Sequence, residues 1–142
     1  MSEMQRRIIA EAMSWIGTPY HHAADVKGAG VDCAMLLVRV YRAAGLIPDI
    51  DPRPYSMDWM LHRDEERYLG WVQQHADPVT GDPQPGDVVL YKVGRCYSHA
   101  AIVIAWPEII HAFRDEQGVV RGEFNSGRLG GRPMQFWRVR GM

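Results

Sequence analysis

The hydrophobic pattern of the chain changes once, at the turn-rich residues 82–86 (DPQPG). Before this point apolar residues recur at helical spacing, and after it they form short runs that are rich in β-branched residues. Helices grouped in one part of a chain and strands in the other are typical of an α+β fold. We therefore predict N-terminal helices that pack on a C-terminal antiparallel sheet or partial barrel.

The size and charge of the chain restrict its class. It has 142 residues, of which 46% are hydrophobic and 23% are charged, and this fits one domain over residues 1–142. Its 16 basic residues are dispersed among 17 acidic ones, so it lacks the one-sided positive field that binds nucleic acid or anionic lipid. No apolar run reaches the ~18 residues that cross a bilayer, and the first residues lack the apolar core of a secretory signal. We expect synthesis in the cytoplasm, no nucleic-acid partner and no membrane insertion.

Three helices are predicted before the change of pattern. The first spans residues 3–15 and begins with a capping box. The second begins after the N-cap Asp32 and ends at Gly45. The third spans residues 57–75. The side chains that it buries are Trp59, Tyr68, Leu69 and Val72.

Five strands are predicted after the change, at residues 87–93, 99–106, 108–113, 119–121 and 134–139. Pro107 marks a tight connection between the second and third strands, so these two are expected to form a hairpin. Each carries one histidine, His99 and His111. Because side chains alternate along a strand, the two histidines face the same side only if His111 pairs with an odd-numbered residue such as Ala101 or Val103.

Cys33 is a candidate nucleophile because it lies in the first turn of the second helix. The free N–H groups and the positive dipole end of a helix N-terminus stabilise a thiolate, so we expect a lowered pKa for this thiol. The same turn offers N–H groups to an oxyanion. A lone cysteine in a helix is more often an inert core residue, so the assignment depends on its neighbours.

His99 and His111 are the neighbours that the assignment needs. With Ala101 opposite His111, the two side chains are diagonal neighbours about 7–8 Å apart at Cβ. One ring can then orient the other, which gives the combination of nucleophile, base and orienting group found in thiol catalysis. The alternative is a structural pair of buried rings that satisfy each other.

The other sulfur and imidazole groups are interpreted as non-catalytic. Cys96 lies in the turn of residues 94–97, where no helix end lowers the pKa of its thiol. Cys33 and Cys96 do not form a CxxC pair, which excludes a four-thiolate zinc site. His21 and His22 are adjacent and point apart, which does not suit a chelating zinc pair. We predict no metal, and we place His22 at the cleft as a substrate-binding residue.

Four segments with chemistry-bearing residues follow one another in a fixed order. They are residues 15–20 (WIGTPY), 30–33 (GVDC), 84–89 (QPGDVV), and 98–103 (SHAAIV) with 110–112 (IHA). Together they resemble the NlpC-type cell-wall cysteine peptidases of bacteria and tailed phages, over most of the chain. The resemblance implies a papain-like fold, cysteine peptidase activity and no cofactor.

The resemblance also implies roles for individual residues. The family's nucleophile falls on Cys33, its general base on His99 and its orienting residue on His111. Tyr20 matches a tyrosine that stands near the nucleophile and lends its hydroxyl to the oxyanion. Asp32 matches the acid before the nucleophile, which caps the helix and contacts a substrate amine.

The chain departs from the family pattern around the nucleophile. Ala34 and Met35 replace the Ser-Gly that commonly follows it, so a hydroxyl expected to contact the substrate is missing at the substrate-binding position 34. Ala23 and Ala24 replace a Gly-Gly pair, and the loop is extended through residues 25–29. This extended pattern looks like the branch found in phage tails and gene-transfer particles.

The substrate implied by the resemblance is the peptidoglycan stem peptide, cut between γ-D-glutamate and the diamino acid. The phage-tail likeness implies that a particle carries the enzyme, and it predicts tail-protein partners on the third helix and residues 49–55. Two alternatives stay open. One is a tail-assembly protein without turnover, for which the change at Ala34 is the motive, and the other is an acyltransferase or amidase with the same thiol chemistry.

Overall fold

The computed structural model describes residues 1–55 and 67–142. The helices of this part of the chain are α1 (Glu3–Met13), α2 (Cys33–Ala43) and α3 (Arg67–His75). Its strands are β1 (Asp25–Val26), β2 (Gly30–Val31), β3 (Ala76–Val79), β4 (Val88–Val93), β5 (Cys96–Ala105), β6 (Glu108–Phe113), β7 (Gly118–Glu123) and β8 (Met134–Val139). The predicted α+β class is confirmed. No helix within the described ranges is long and apolar enough to cross a membrane.

Helix α1 begins with the predicted capping box. Ser2 Oγ accepts a hydrogen bond from the backbone N–H of Gln5 (3.1 Å), and Gln5 Oε1 accepts one from the N–H of Ser2 (2.7 Å). The helix ends at Met13, two residues before the predicted end. The backbone N–H of Trp15 donates to the carbonyl oxygen of Ala12, three residues back (3.1 Å), instead of to the residue four back as in an α-helix. The α-helix therefore ends before this residue.

Helix α2 lies at the centre of the fold. Eight of its eleven residues are buried, and it packs against α1, β5 and β6. Asp32 is its N-cap as predicted, since Asp32 Oδ1 accepts a hydrogen bond from the N–H of Met35 (2.9 Å). Cys33 is therefore the first residue of a buried helix.

Helix α3 covers the second half of the third predicted helix. The prediction began at residue 57, and residues 57–66, which include Trp59, lie outside the described residues. Tyr68 is buried as predicted, and the other two predicted core residues of this helix pack against the core while remaining partly exposed.

Strand β3, which follows α3 directly, was missed by the sequence analysis. It pairs with β8 and forms one edge of the sheet. Asp77 and Pro78 are depleted in strands, and proline is tolerated at a sheet edge because an edge strand can dispense with one N–H. The sequence of residues 76–79 therefore has no strand pattern of its own.

The six strands β3–β8 form one antiparallel sheet in the order β3-β8-β4-β5-β6-β7. The five predicted strands are all present, with shifted ends. β5 begins three residues earlier than predicted, so Cys96 is a strand residue rather than a turn residue. It is buried, with 3% of its surface exposed.

Both faces of the sheet are covered, which explains the long apolar run of β5. Even-numbered residues such as Ala100 and Ile102 pack in the cluster that contains the helices. Odd-numbered residues such as Ala101 and Val103 pack in a second cluster together with Leu129, which comes from the connection between β7 and β8. A strand buried on both sides reads as continuous hydrophobic sequence instead of alternating.

Candidate active site

The Cys33 side chain lies where the first turn of α2 meets the backbone of β5. Its Sγ is 3.8 Å from the carbonyl oxygen of Ser98, to which the thiol donates. The hydroxyl of Tyr68 donates to the carbonyl oxygen of Cys33 (3.0 Å) and fixes the helix turn from the other side. Only 6% of Cys33 is exposed.

The two histidines form a directly bonded pair on neighbouring strands. β5 pairs with β6 in the register Ile102↔Ile110 and Val103↔Ile109, so odd-numbered residues face odd-numbered residues as the prediction required. Nε2 of His99 is 2.8 Å from Nδ1 of His111. His99 Nδ1 is then the ring nitrogen left to exchange a proton with another group.

The ring of Phe113 holds both imidazoles in place. It stacks on His111 with a centroid distance of 4.7 Å and an interplanar angle of 17°, and it contacts His99 at 5.2 Å. His99 and His111 are 9% and 4% exposed. The pair is therefore fixed by packing as well as by its hydrogen bond.

Cys33 and His99 line the same open cavity, of about 100 Å³. Tyr20, His22 and Asp32 line it as well, while His111 contacts His99 and is absent from the cavity wall. The structure thus places Cys33 and His99 at one cavity, with His111 behind His99. The cavity opens between the first turn of α2 and the connection that covers the second face of the sheet.

Burial decides the protonation of this site. It raises the pKa of the Cys33 thiol to about 12, and the nearby Asp32 carboxylate acts in the same direction. Burial likewise lowers the pKa of His99 well below its usual range, with a further contribution from His111, and it lowers the pKa of His111 to about 4. The expected lowering of the thiol pKa is wrong for this resting state, because desolvation outweighs the helix dipole. The resting site therefore holds a neutral thiol and neutral imidazoles.

The NlpC/P60 family profile matches residues 17–138, far more than half of the chain. The chain belongs to the NlpC/P60 family. Its fold is similar to that of solved NlpC/P60 structures. NlpC1 from Trichomonas vaginalis superimposes with a TM-score of 0.73 at 14% identity, covering 98% of this chain and 45% of that one. This chain thus spans less than half the length of that relative.

Two further relatives are close to this chain in length. The NlpC/p60 domain of the peptidoglycan hydrolase SagA has a TM-score of 0.62 at 19% identity, over 92% of this chain and 96% of that one. RipD from Mycobacterium tuberculosis is a non-catalytic NlpC/p60 domain protein adapted to peptidoglycan binding. It has a TM-score of 0.63 at 16% identity, over 98% of this chain and 99% of that one. No curated protein matches the sequence. These similarities establish the papain-like α+β fold of the NlpC/P60 family.

Tyr20 is held at the cavity of this NlpC/P60 domain by its backbone. Its N–H donates to the carbonyl oxygen of Gln117 (2.9 Å), and it forms a bridge with Val31. Burial raises the pKa of the Tyr20 hydroxyl, and the charges of Cys33 and Asp32 raise it further. The hydroxyl therefore stays protonated and can donate a hydrogen bond.

Most hydrogen-bond acceptor positions of the Asp32 carboxylate are occupied by groups of the protein itself. Besides the N–H of Met35, its carboxylate accepts the N–H of Ala23 (2.7 Å) and the hydroxyl of Tyr55. A carboxylate has about four acceptor positions, and three of these are occupied. Asp32 is 2% exposed, so the predicted contact with a substrate amine has little room.

His22 and Ala34 have different surroundings. His22 is in the cavity wall, where its Nε2 is 2.9 Å from the carbonyl oxygen of Tyr55 and its ring meets the Tyr55 ring edge-on at 5.3 Å. Ala34 lines a separate apolar cavity together with residues of α3. The structure does not fit the prediction that Ala34 contacts substrate, because successive helix residues point about 100° apart.

Several cavity residues were missed by the sequence analysis. They are Tyr55, Val93, Ser98, Phe113, Arg114, Asp115, Arg128 and Leu129. Phe113 lies in a predicted strand two residues after His111, so strand alternation offered a signal for it. Most of the others come from connections, and no periodic pattern in the sequence predicts which connections meet. Within residues 1–55 and 67–142, no three His, Cys, Asp or Glu side chains are grouped so as to hold a metal ion.

Proposed function

We propose that the chain is a peptidoglycan stem-peptide endopeptidase that hydrolyses the bond between γ-D-glutamate and the diamino acid. Membership of the NlpC/P60 family suggests a peptidoglycan hydrolase. The observation that carries the proposal is the shared cavity of Cys33 and His99, with His111 hydrogen-bonded behind His99 at 2.8 Å.

The first step of the proposed reaction forms a thioester. Cys33 Sγ attacks the scissile carbonyl carbon while His99 Nδ1 takes the thiol proton, because the resting thiol is neutral. The hydrogen bond to His111 holds the imidazole of His99 and shares the positive charge that it gains. The C–N bond then breaks, and the leaving amine takes the proton from His99.

The second step releases the acyl group. A water molecule attacks the thioester carbon and gives a proton to His99, and the C–S bond breaks as this proton returns to the sulfur. In both steps the carbonyl oxygen carries negative charge, for which the N–H of Cys33 and the hydroxyl of Tyr20 are the proposed donors. Tyr20 can serve because its hydroxyl keeps its proton.

The proposal is tested with purified muropeptides and matched variants. We expect the wild type to release the diamino-acid fragment, and we expect Cys33→Ala and His99→Ala to release none above background. Cys96→Ala removes the other thiol and should keep the activity. Failure of the wild type to cleave, or full activity of Cys33→Ala, would overturn the proposal.

A second candidate function is peptidoglycan binding without turnover. The observation that favours it is the buried, protonated thiol of Cys33, with 6% of the residue exposed. RipD is an NlpC/p60 protein of this non-catalytic kind. In the muropeptide experiment this candidate predicts binding by the wild type and by Cys33→Ala, with cleavage by neither. The third possibility, acyl transfer, predicts a product that forms only when an amine is added.

We also propose that a phage particle carries the enzyme and that phage-tail proteins are its partners. The support is the sequence pattern around the extended residues 25–29, which form β1, a turn and the approach to β2. Detection of the chain in purified particles by mass spectrometry tests this part separately from the activity.

A further inference from the structure

The cavity that Cys33 and His99 share is also lined by a positive charge without an ion-pair partner among the described residues. Arg114 follows β6 directly and lines the cavity that Cys33 and His99 share. Within the described ranges no carboxylate lies within ion-pair distance of its guanidinium. Arginines of this domain commonly do have such partners, as Arg39 has in Asp25.

The neighbouring charges do not neutralise Arg114. Arg128 and Asp115 also line the cavity, and they pair with each other, with Arg128 Nη1 3.2 Å from Asp115 Oδ1. These two charges cancel. The wall formed by Arg114, Asp115 and Arg128 therefore keeps one net positive charge, and Arg114 is its source.

The backbone of Arg114 is fixed relative to the reacting groups. Its carbonyl oxygen accepts the N–H of Gln117 (2.9 Å), and the carbonyl oxygen of Gln117 accepts the N–H of Tyr20 (2.9 Å). The positive charge of Arg114 acts on the Tyr20 hydroxyl and lowers its pKa. Burial, Cys33 and Asp32 act in the opposite direction and raise it. A group bound by Arg114 would thus lie beside Tyr20, next to the reacting carbonyl.

The carboxylate of Asp32 also lines the cavity, and it disfavours an anion close to the nucleophile. Its negative charge adds to the effect of burial in raising the pKa of the Cys33 thiol. A substrate that carries a carboxylate close to its scissile bond is repelled from Asp32 and attracted to Arg114. The charge distribution of the cavity therefore orients such a substrate in one direction.

We propose that Arg114 is a specificity-determining residue that binds a free carboxylate of the substrate beside the scissile bond. The inference rests on the proposed function, in which the γ-linked glutamyl residue keeps its α-carboxylate free. A guanidinium binds a carboxylate through two parallel charge-assisted hydrogen bonds, and a carboxamide cannot form this pair. The enzyme then prefers stem peptides with the free acid over those in which the same group is amidated.

The test compares two stem peptides that differ only at this group, one with the α-carboxylate and one with the α-carboxamide. We expect the wild-type kcat/KM to favour the acid by about tenfold or more, the effect of one charge-assisted hydrogen bond. Arg114→Gln should bring the ratio close to one, and Arg114→Lys should restore part of it. The control Arg7→Gln removes an exposed arginine of α1, which does not line the cavity, and should keep the wild-type ratio.

An unchanged ratio in Arg114→Gln would overturn the inference and leave the proposed function intact. If the wild type cleaves neither peptide, the proposed function fails and binding decides the inference. Calorimetry then compares both peptides on Cys33→Ala and on Cys33→Ala with Arg114→Gln. A preference for the acid that disappears with Arg114 supports the inference, and equal affinities of Cys33→Ala for the two peptides, or binding of neither, overturn it.

Discussion

At the scale of single residues, the site is defined by what burial does to charge. Three titratable groups, Cys33, His99 and His111, are 9% exposed or less, and each is held in its neutral form. The helix dipole contributes about 0.3–1 kcal/mol to a charge at its N-terminus, and this is less than the cost of burying the thiolate, because burial raises the pKa of the Cys33 thiol to about 12. The proton on the sulfur must therefore leave during the reaction rather than before it.

Alkylation reports this protonation state directly. In a Cys96→Ala background, we expect iodoacetamide to label Cys33 more slowly at pH 7 than it labels an ordinary thiol, whose pKa is about 8.5. Above about pH 9 the rate should continue to rise, whereas the rate of an ordinary thiol levels off, because the Cys33 thiolate is still a minor form there. Mass spectrometry of the intact protein measures the rate, with urea-unfolded protein as the reference. Rapid labelling of the folded protein at pH 6–7 would show a thiolate–imidazolium pair and contradict the neutral resting state.

The placement of these residues could be predicted from the sequence, and their protonation could not. Asp32 is a recognisable N-cap, so Cys33 had to lie in the first helical turn. Strand alternation limited His111 to the registers that bring it to His99. The pKa of a thiol depends on how much chain covers it, and a local pattern holds no such information.

At the scale of elements, an ion pair with a buried carboxylate links two parts of the sheet region. Asp87 precedes β4 and is fully buried, and Arg138 of β8 donates two hydrogen bonds of 2.9 Å to its carboxylate. The backbone N–H of Gln84 donates a third, at 2.7 Å. This pair ties the turn-rich segment between β3 and β4 to the neighbouring strands β4 and β8.

Removing the cation of this pair should destabilise the fold measurably. We expect Arg138→Gln to lower the free energy of unfolding by about 2 kcal/mol, because it leaves the Asp87 carboxylate buried without its main partner. Arg121→Gln is the matched control. It breaks the exposed pair of Arg121 with Glu108, and it should change stability by less than about 1 kcal/mol. Urea unfolding measures both, and equal effects would contradict the special role of Asp87.

Elements with a strong internal pattern were predictable, and those defined by their neighbours were not. α1, α2 and the strands from β4 onward follow periodicity and capping residues. β3 contains Pro78 and exists because β8 offers it a partner. The cavity residues Tyr55 and Arg114 come from connections, whose positions depend on contacts far apart in the sequence.

At the scale of the whole molecule, the two buried histidines make stability depend on pH. The pKa of His111 is about 4 in the folded protein against a usual value of 6.5, and that of His99 is lowered as well. The unfolded chain therefore binds more protons than the folded one below pH 6.5. The stability that the two neutral histidines contribute is fully present above about pH 6.5, and it is lost progressively as the pH falls toward 4.

We expect the free energy of unfolding to fall between pH 7 and pH 5 by up to about 1.4 kcal/mol per pH unit for each histidine in its titration range. His111→Gln should reduce this slope whatever its effect on stability at pH 7. The control His21→Gln replaces an exposed histidine and should keep the wild-type slope. Urea unfolding at several pH values provides the measurement, and identical slopes for wild type and His111→Gln would exclude this origin of the pH dependence.

The double cover of the sheet has a consequence for sequence variation. In a β-sheet with one solvent-exposed face, every second side chain can be substituted freely. In β5, the even-numbered residues pack in the cluster that contains the helices and the odd-numbered residues pack in the cluster that contains Leu129. We therefore expect mutational tolerance to be graded across the sheet. It should be lowest in the middle strands and highest along β7, where every second residue toward the end of the strand reaches solvent.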